Sequence, residues 1–273
     1  MNFMIVLVFL LIVLVGISLG LIGGGGSVLT VPILVYFMGL NPILATSYSL
    51  FIVGSTSMVG ALINYRKGLV CLNTVMLFGM SSITTVYLTR KFLLPSIPSV
   101  VYKADHFQIT KSTATMVLFA ILMLLAAVAM ICNKNKNVTN ETCISESVRD
   151  TPKLMFCGIL IGIITGLLGV GGGFLLIPTL VFILKKPMKE AIGTSLLIIA
   201  LNSLIGFMGD IGQFKMQWNF LIMITIMAIA GIFVGGFLAK KINGDYLKKV
   251  FGWFVLIMGI YILIREVRFV YTI

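Results

Sequence analysis

Charge is what this 273-residue chain has least of: eight aspartates and glutamates stand against twenty lysines and arginines, with a single histidine. Charged residues make up 10% of it, where ordinary domains carry about 25%. So few acids, none of them clustered, leave no paired carboxylates for acid–base hydrolysis and no His/Asp/Glu set for a transition metal. Cys71, Cys132, Cys143 and Cys157 form no CxxC pair and no zinc-ligand spacing, although Cys132 and Cys143 bracket a hydrophilic stretch and could pair. No Lys-Ser/Thr follows a glycine cluster, no GxGxxG is completed, and no GxSxG occurs. Nucleotide binding, an intramembrane enzyme and a resident cofactor or metal are therefore not expected. The net charge of +12 would suggest nucleic acid in a soluble protein. Here the basic residues sit in short loops between apolar runs, without interleaved aromatics, and no nucleic-acid partner is expected.

What the chain does have is apolar length. Hydrophobic residues are 59% of the sequence and the mean hydropathy is +1.14, which no soluble globule sustains. Residues 1–65 and 113–133 carry no charge at all, and a membrane span needs roughly 20 apolar residues. Ten apolar segments can be read, at about 3–22, 27–39, 44–63, 70–90 and 112–132, then 154–170, 173–184, 190–208, 217–239 and 247–265. The polar, Asn/Lys-rich stretch 133–153 divides a first transmembrane repeat (1–132) from a second (154–273). The first span lacks a basic n-region and a small-x-small cleavage site, so it reads as a retained span.

One glycine-rich sequence occurs twice. Gly16-Ile-Ser-Leu-Gly20-Leu-Ile-Gly23-Gly24-Gly25-Gly26, with Pro32 beyond it, is matched by Gly162-Ile-Ile-Thr-Gly166-Leu-Leu-Gly169-Val-Gly171-Gly172-Gly173, with Pro178. The copies align without a gap, 146 positions apart (162 − 16). The register persists through Ala45/Ala191, Ser49/Ser195, Leu50/Leu196, Ser57/Ser203 and Gly60/Gly206. The chain is a duplicated unit, and broken glycine-rich apolar segments in a duplicated membrane protein point to a transporter with its site where the repeats meet.

The lysines and arginines supply an orientation. With residues 133–153 cytoplasmic and five spans per half, thirteen basic residues fall inside and seven outside, the outer set including Arg90, Lys91 and Arg265, as the positive-inside rule prefers. Equivalent loops also exchange character: Gly39–Pro42 is uncharged while Lys185–Lys189 is basic, and Asn64–Gly68 is basic while Asp210–Lys215 is nearly neutral. An odd number of spans per repeat would invert the second copy and produce that exchange. The expected fold is therefore an all-α integral membrane protein, of two inverted repeats of about five helical segments with glycine-broken helices. The sequons at Asn137 and Asn140 require a lumenal linker instead, and are discounted as products of an Asn-rich stretch.

Glycine clusters let a helix break and let backbones approach closely, and such breaks are tolerated at membrane depth only against protein or a wet cavity. A helix restarted after each break offers free N–H groups and a positive dipole end, an anion site. Candidate substrate-binding residues are accordingly Gly23, Gly24, Gly25, Gly26 and Ser27 in the first repeat and Gly169, Gly171, Gly172 and Gly173 in the second. Ser49, Thr194, Ser195 and Asn202 join them as uncharged hydrogen-bond donors on the third segments. Gly16/Gly20 and Gly162/Gly166 have GxxxG spacing and read as helix packing. Asp210 reads as a loop residue at a segment end, and Trp218 and Trp253 as interface anchors.

The motif GxxxGxxGxGG with its following proline, then Ala and Thr/Ser-Ser-Leu a dozen residues on, once per half, resembles the sulfite exporter TauE/SafE family, also described as sulfonate-uptake permeases. The second copy is the nearer to that pattern, and the first departs from it at Tyr48, the counterpart of Thr194. The resemblance implies a secondary transporter of a small, sulfur-containing anion working by alternating access, with the motif residues lining the path. A passive channel on the same scaffold and a non-transporting assembly subunit are the alternatives. The implied partners are a small anion and the lipid bilayer, the implied location is the plasma membrane, and a homo-oligomer is left open.

Overall fold

The computed structural model describes residues 2–24, 26–98, 100–104, 107–132, 151–182, 188–213, 216–238 and 244–272. Five helices form each half. In the first they are α1 (Asn2–Ile22), α2 (Ser27–Tyr36), α3 (Pro42–Arg66), α4 (72–96) and α5 (Lys111–Cys132). In the second they are α6 (Thr151–Leu168), α7 (Gly173–Phe182), α8 (Met188–Asp210), α9 (Trp218–Leu238) and α10 (Gly244–Thr272). Among the described residues a short antiparallel hairpin lies between α4 and α5, β1 (Val100–Ala104) and β2 (Phe107–Thr110), where the sequence suggested only loop. Residues 133–150, with the sequons and Cys143, lie outside the described residues, as does Gly25.

The duplication is carried by local chemistry. Helices α2, α3 and α4 start at 27, 42 and 72, and α7, α8 and α9 start 146 positions later, at 173, 188 and 218. α1 ends where Gly23 turns to φ 79° and its N–H bonds the Leu19 carbonyl at 2.8 Å. α6 ends at the equivalent Gly169, φ 66°, bonded to Thr165 at 2.9 Å. α3 is started by the Asn41 side chain, which accepts the Ile43 N–H at 3.0 Å, with Pro42 at the first helical position, where no N–H is needed.

Small residues set how the halves interlock. A methyl group built on Gly20 would lie 2.7 Å from the Ile232 carbonyl oxygen and 2.9 Å from Gly236 N, so α1 crosses α9 backbone to backbone. The equivalent crossing is α6 on α4, where Gly162 meets Ser82 and Thr85 and Gly166 meets Val86 and Thr89. The GxxxG pairs therefore serve packing, and always against the fourth helix of the other half. α3 and α8 pack antiparallel along their length: Gly54 meets Leu204, Gly60 meets Leu196, and Leu50 meets Gly206. The last two contacts are one contact seen twice, since each partner is shifted by 146 positions in opposite senses.

Helices α3, α5, α8 and α9 are each long and apolar enough to cross a membrane. Large apolar side chains such as Leu125, Ile226, Phe233 and Phe237 are exposed on α5 and α9, which is the pattern of a lipid-facing rim. The central pair α3 and α8 instead buries Thr46, Ser47, Ser49, Thr56 and Ser57 with Thr194, Ser195, Asn202, Ser203 and Asp210. Apolar outside and polar within is the distribution expected of a bundle immersed in lipid around a hydrophilic path.

Three sequence assignments are corrected here. Arg90, placed in an outer loop, lies within α4 and is fully buried. The helix continues past it through a π-helical turn, Thr89–Leu93, which rotates Arg90 inward while Lys91 stays exposed and donates to the Tyr87 hydroxyl at 3.0 Å. Asp210, assigned to a loop, is the last residue of α8 and is equally buried, because Arg90 pairs with it. Arg265 likewise sits inside α10 rather than in a loop, its guanidinium stacked 4.4 Å from the centre of the Tyr36 ring.

Candidate functional site

The two glycine breaks meet each other. A methyl group on Gly24 would fall 2.9 Å from Gly173 Cα, and one on Gly173 would fall 2.6 Å from the Gly24 carbonyl oxygen. Only glycine at both positions permits this contact, which brings the starts of α2 and α7 together in the core. The first N–H groups of a helix have no acceptor within it; here Leu29 bonds the Gly26 carbonyl, and Leu175 and Leu176 bond that of Gly172, so only the leading N–H groups of each helix are brought to the contact as donors. Ser27 closes its own turn by donating to the Gly24 carbonyl at 2.7 Å.

The glycines divide by what they face. Gly26 packs on Ser18, Val15 and Leu19 of α1, and Gly23 on Ile192 of α8, so close packing accounts for both. Gly171 (φ 68°) and Gly172 (φ 71°) adopt left-handed backbone that a side chain resists, and each faces a hydroxyl. Gly171 lies against Ser203 Oγ and Gly172 against Thr165 Oγ1. Neither hydroxyl has a hydrogen-bond partner among the described residues, and the same holds for Ser49 Oγ, Ser57 Oγ and Asn202 Oδ1. A buried hydroxyl without a partner costs about 1–3 kcal/mol, so this core holds hydrogen-bonding capacity that the described residues leave unused.

The expected residues on the third segments also make bonds within the fold. Thr194 Oγ1 accepts the Cys71 N–H at 3.0 Å. Ser195 shares its hydroxyl hydrogen between the carbonyls of Ile192, at 2.9 Å, and Gly23, at 3.1 Å, which ties α8 to the first break. Asn202 donates to Ser82 Oγ at 2.7 Å and keeps its carbonyl oxygen unused. The structure thus joins Gly24 with Gly173 and Ser195 with Gly23, and it turns Thr194 away toward the start of α4.

A charged cluster that sequence reasoning missed adjoins the second break. Arg90 Nη1 donates to Asp210 Oδ2 at 3.0 Å and to Thr46 Oγ1 at 3.1 Å, and Ser47 Oγ donates to the same carboxylate oxygen at 2.5 Å. Both charged side chains are wholly inaccessible to solvent. Gly169 abuts Arg90 Nη2, and Gly209 lets α8 approach the arginine stem. A buried pair of this kind loses about 3–5 kcal/mol if one partner is removed. The available signal was the pairing of an arginine inside the apolar run 70–96 with an acid at the end of another.

A membrane-embedded, internally duplicated helical bundle with a polar core and converging broken helices defines a class: a multi-pass membrane transporter. The chain belongs to the sulfite exporter TauE/SafE family, whose model matches residues 8–262. It is 29% identical over 256 residues to a probable membrane transporter protein of Xylella fastidiosa strain 9a5c, covering 93% of this chain and 92% of that one. The probable membrane transporter protein YunE of Bacillus subtilis is 23% identical over 294 residues, 96% of this chain and 97% of its own. A probable membrane transporter protein of Methanocaldococcus jannaschii shares 35% over 116 residues, 40% of this chain and 43% of that one. No solved structure matches the chain.

Proposed function

We propose that the protein is a secondary transporter of a small sulfur-containing anion, such as sulfite or an organosulfonate, working by alternating access in the plasma membrane. Two inverted repeats would rock about the point where their breaks touch. Inversion is supported by the antiparallel packing of the equivalent helices α3 and α8 and by contacts that recur with the halves exchanged. The observation that carries the anion reading is the approach of Gly24 to Gly173, which sets the N-terminal ends of α2 and α7 against each other in the core. The unpartnered hydroxyls of Ser49 and Ser203 and the Asn202 side chain add polar contacts without adding an intramembrane charge.

The reading is tested with purified protein in liposomes, following radiolabelled sulfite and taurine. Counterflow, in which unlabelled anion inside drives transient accumulation of label, is expected of a carrier; label that only equilibrates indicates a channel. Gly171→Ala and Gly172→Ala should assemble yet transport at least about tenfold more slowly. Variants that transport at the wild-type rate would remove these glycines from the path.

A further inference from the structure

We propose that the transported anion is received by one edge of the Arg90 guanidinium, a deepening that rests on the anion-carrier reading above. Arginine presents two parallel donors, Nε–H and Nη2–H, along one side of its plane, a spacing that matches two oxygens borne on a single atom. In this protein the opposite nitrogen does all the structural bonding: Nη1 holds both Asp210 and Thr46. Nε and Nη2 have no partner among the described residues, although the side chain is fully buried. Contact with Asp210 is made to Oδ2 alone, through Nη1, and Oδ1 is left without a partner.

The surroundings fit a receiving site. Nη2 faces Gly169, the residue that ends α6 at the second break, and any side chain there would strike both Nη2 and Thr46. The free edge therefore lies against the same break whose glycines continue to Gly171 and Gly172. Ser47 holds the Asp210 carboxylate, so the acid stays on the far nitrogen and does not close the edge. The ligand class is an oxyanion with two oxygens on one centre, a sulfite or sulfonate group. A monatomic anion offers both donors a single acceptor, so neither N–H bond can be linear.

The experiment is a thermal-shift titration of the full-length protein with sulfite, methanesulfonate and chloride. Wild type should be stabilised by both sulfur oxyanions and far less by chloride. Arg90→Lys keeps a cation beside Asp210 but has no paired edge, and should weaken oxyanion binding at least about tenfold. A purely structural arginine would give a less stable Arg90→Lys protein with unchanged oxyanion affinity, and that result would overturn the inference. Asp210→Asn leaves the guanidinium without a counter-ion and should bind oxyanion more tightly than wild type. If Arg90→Lys does not fold, wild type labelled with nitrogen-15 arginine decides: the solvent-protected Nε–H resonance should shift on adding sulfite and not chloride, and an unmoved resonance refutes the site. Wild type that neither binds nor carries any oxyanion would instead defeat the underlying transport reading.

Discussion

Two adjacent glycines of α9 should respond to alanine with opposite signs. A methyl group on Gly235 would lie 2.9 Å from both Cα and C of Ile17, and closer still to its carbonyl oxygen, whereas one on Gly236 would meet nothing within 4 Å. Backbone atoms cannot step aside as a side chain does, so Gly235→Ala forces α9 away from α1 by at least about 0.5 Å along that crossing. Overpacking of this kind costs about 1–3 kcal/mol. Because the clash is with backbone, the upper end of that range, about 2–3 kcal/mol, applies, and the better helix propensity of alanine returns about 1 kcal/mol, which leaves Gly235→Ala destabilised by about 1–2 kcal/mol. Gly236→Ala receives the propensity gain alone, and its melting temperature should equal or exceed that of wild type. The assay is thermal unfolding of both variants in one detergent, followed by tryptophan fluorescence. If the two move together, the crossing is not set by backbone contact and the account of how the halves interlock is wrong.

Three further variants probe the core. Arg90→Met alone should lower stability by about 3–5 kcal/mol, because Asp210 is left buried without its partner, and adding Asp210→Leu should recover most of it; equal losses in the single and double variants would deny the coupling. Ser203→Ala removes a hydroxyl with no partner, so denaturation should find it as stable as wild type or more so, while proteoliposome flux falls. Thr194→Val strips the Cys71 N–H of its acceptor and should cost about 1–3 kcal/mol in the same melts, with flux per folded molecule unchanged.

Hydropathy made the helices legible because lipid imposes one rule on every span: apolar length first. The repeat made them legible twice, and helix starts at 27, 42 and 72 recur 146 positions on to the residue. The same rule hid the charged cluster. A charge at the end of an apolar run reads as the point where the span leaves the membrane, so Arg90 and Asp210 each read as closing a segment. What reverses that inference is a contact between residues 120 positions apart, which no window along the chain detects. Helix α10 extends past its expected end for a related reason: Arg265 stacks on Tyr36 and Glu266 accepts the Tyr36 hydroxyl at 2.9 Å, so polar residues there are held against α2. The glycines stand out in the sequence as a class, but what each one packs against depends on what stands opposite. Gly24 faces Gly173, while Gly171 faces Ser203.

The duplication is imperfect where it matters most for a carrier. Positions 146 residues from Arg90 and Asp210 hold Gly236 and Asn64, so the ion pair exists at one end of the α3/α8 pair and has no counterpart at the other. Asn64 donates to its own helix, at the Gly60 carbonyl 2.8 Å away, and is half-buried, while Asp210 is sealed. Under the alternating-access mechanism proposed above, identical halves would make the two access states equal in energy; one pair joining the halves at a single end would break that equality and hold that end shut. Accessibility measures the difference. In a cysteine-free background, Asn64→Cys should react with a small methanethiosulfonate at least about tenfold faster than Ser47→Cys, which lies beside Asp210. Neutralising the pair with Arg90→Gln and Asp210→Asn together should raise the Ser47→Cys rate toward that of Asn64→Cys. A Ser47→Cys rate that ignores the pair would mean that the salt bridge braces the helices without holding either end closed.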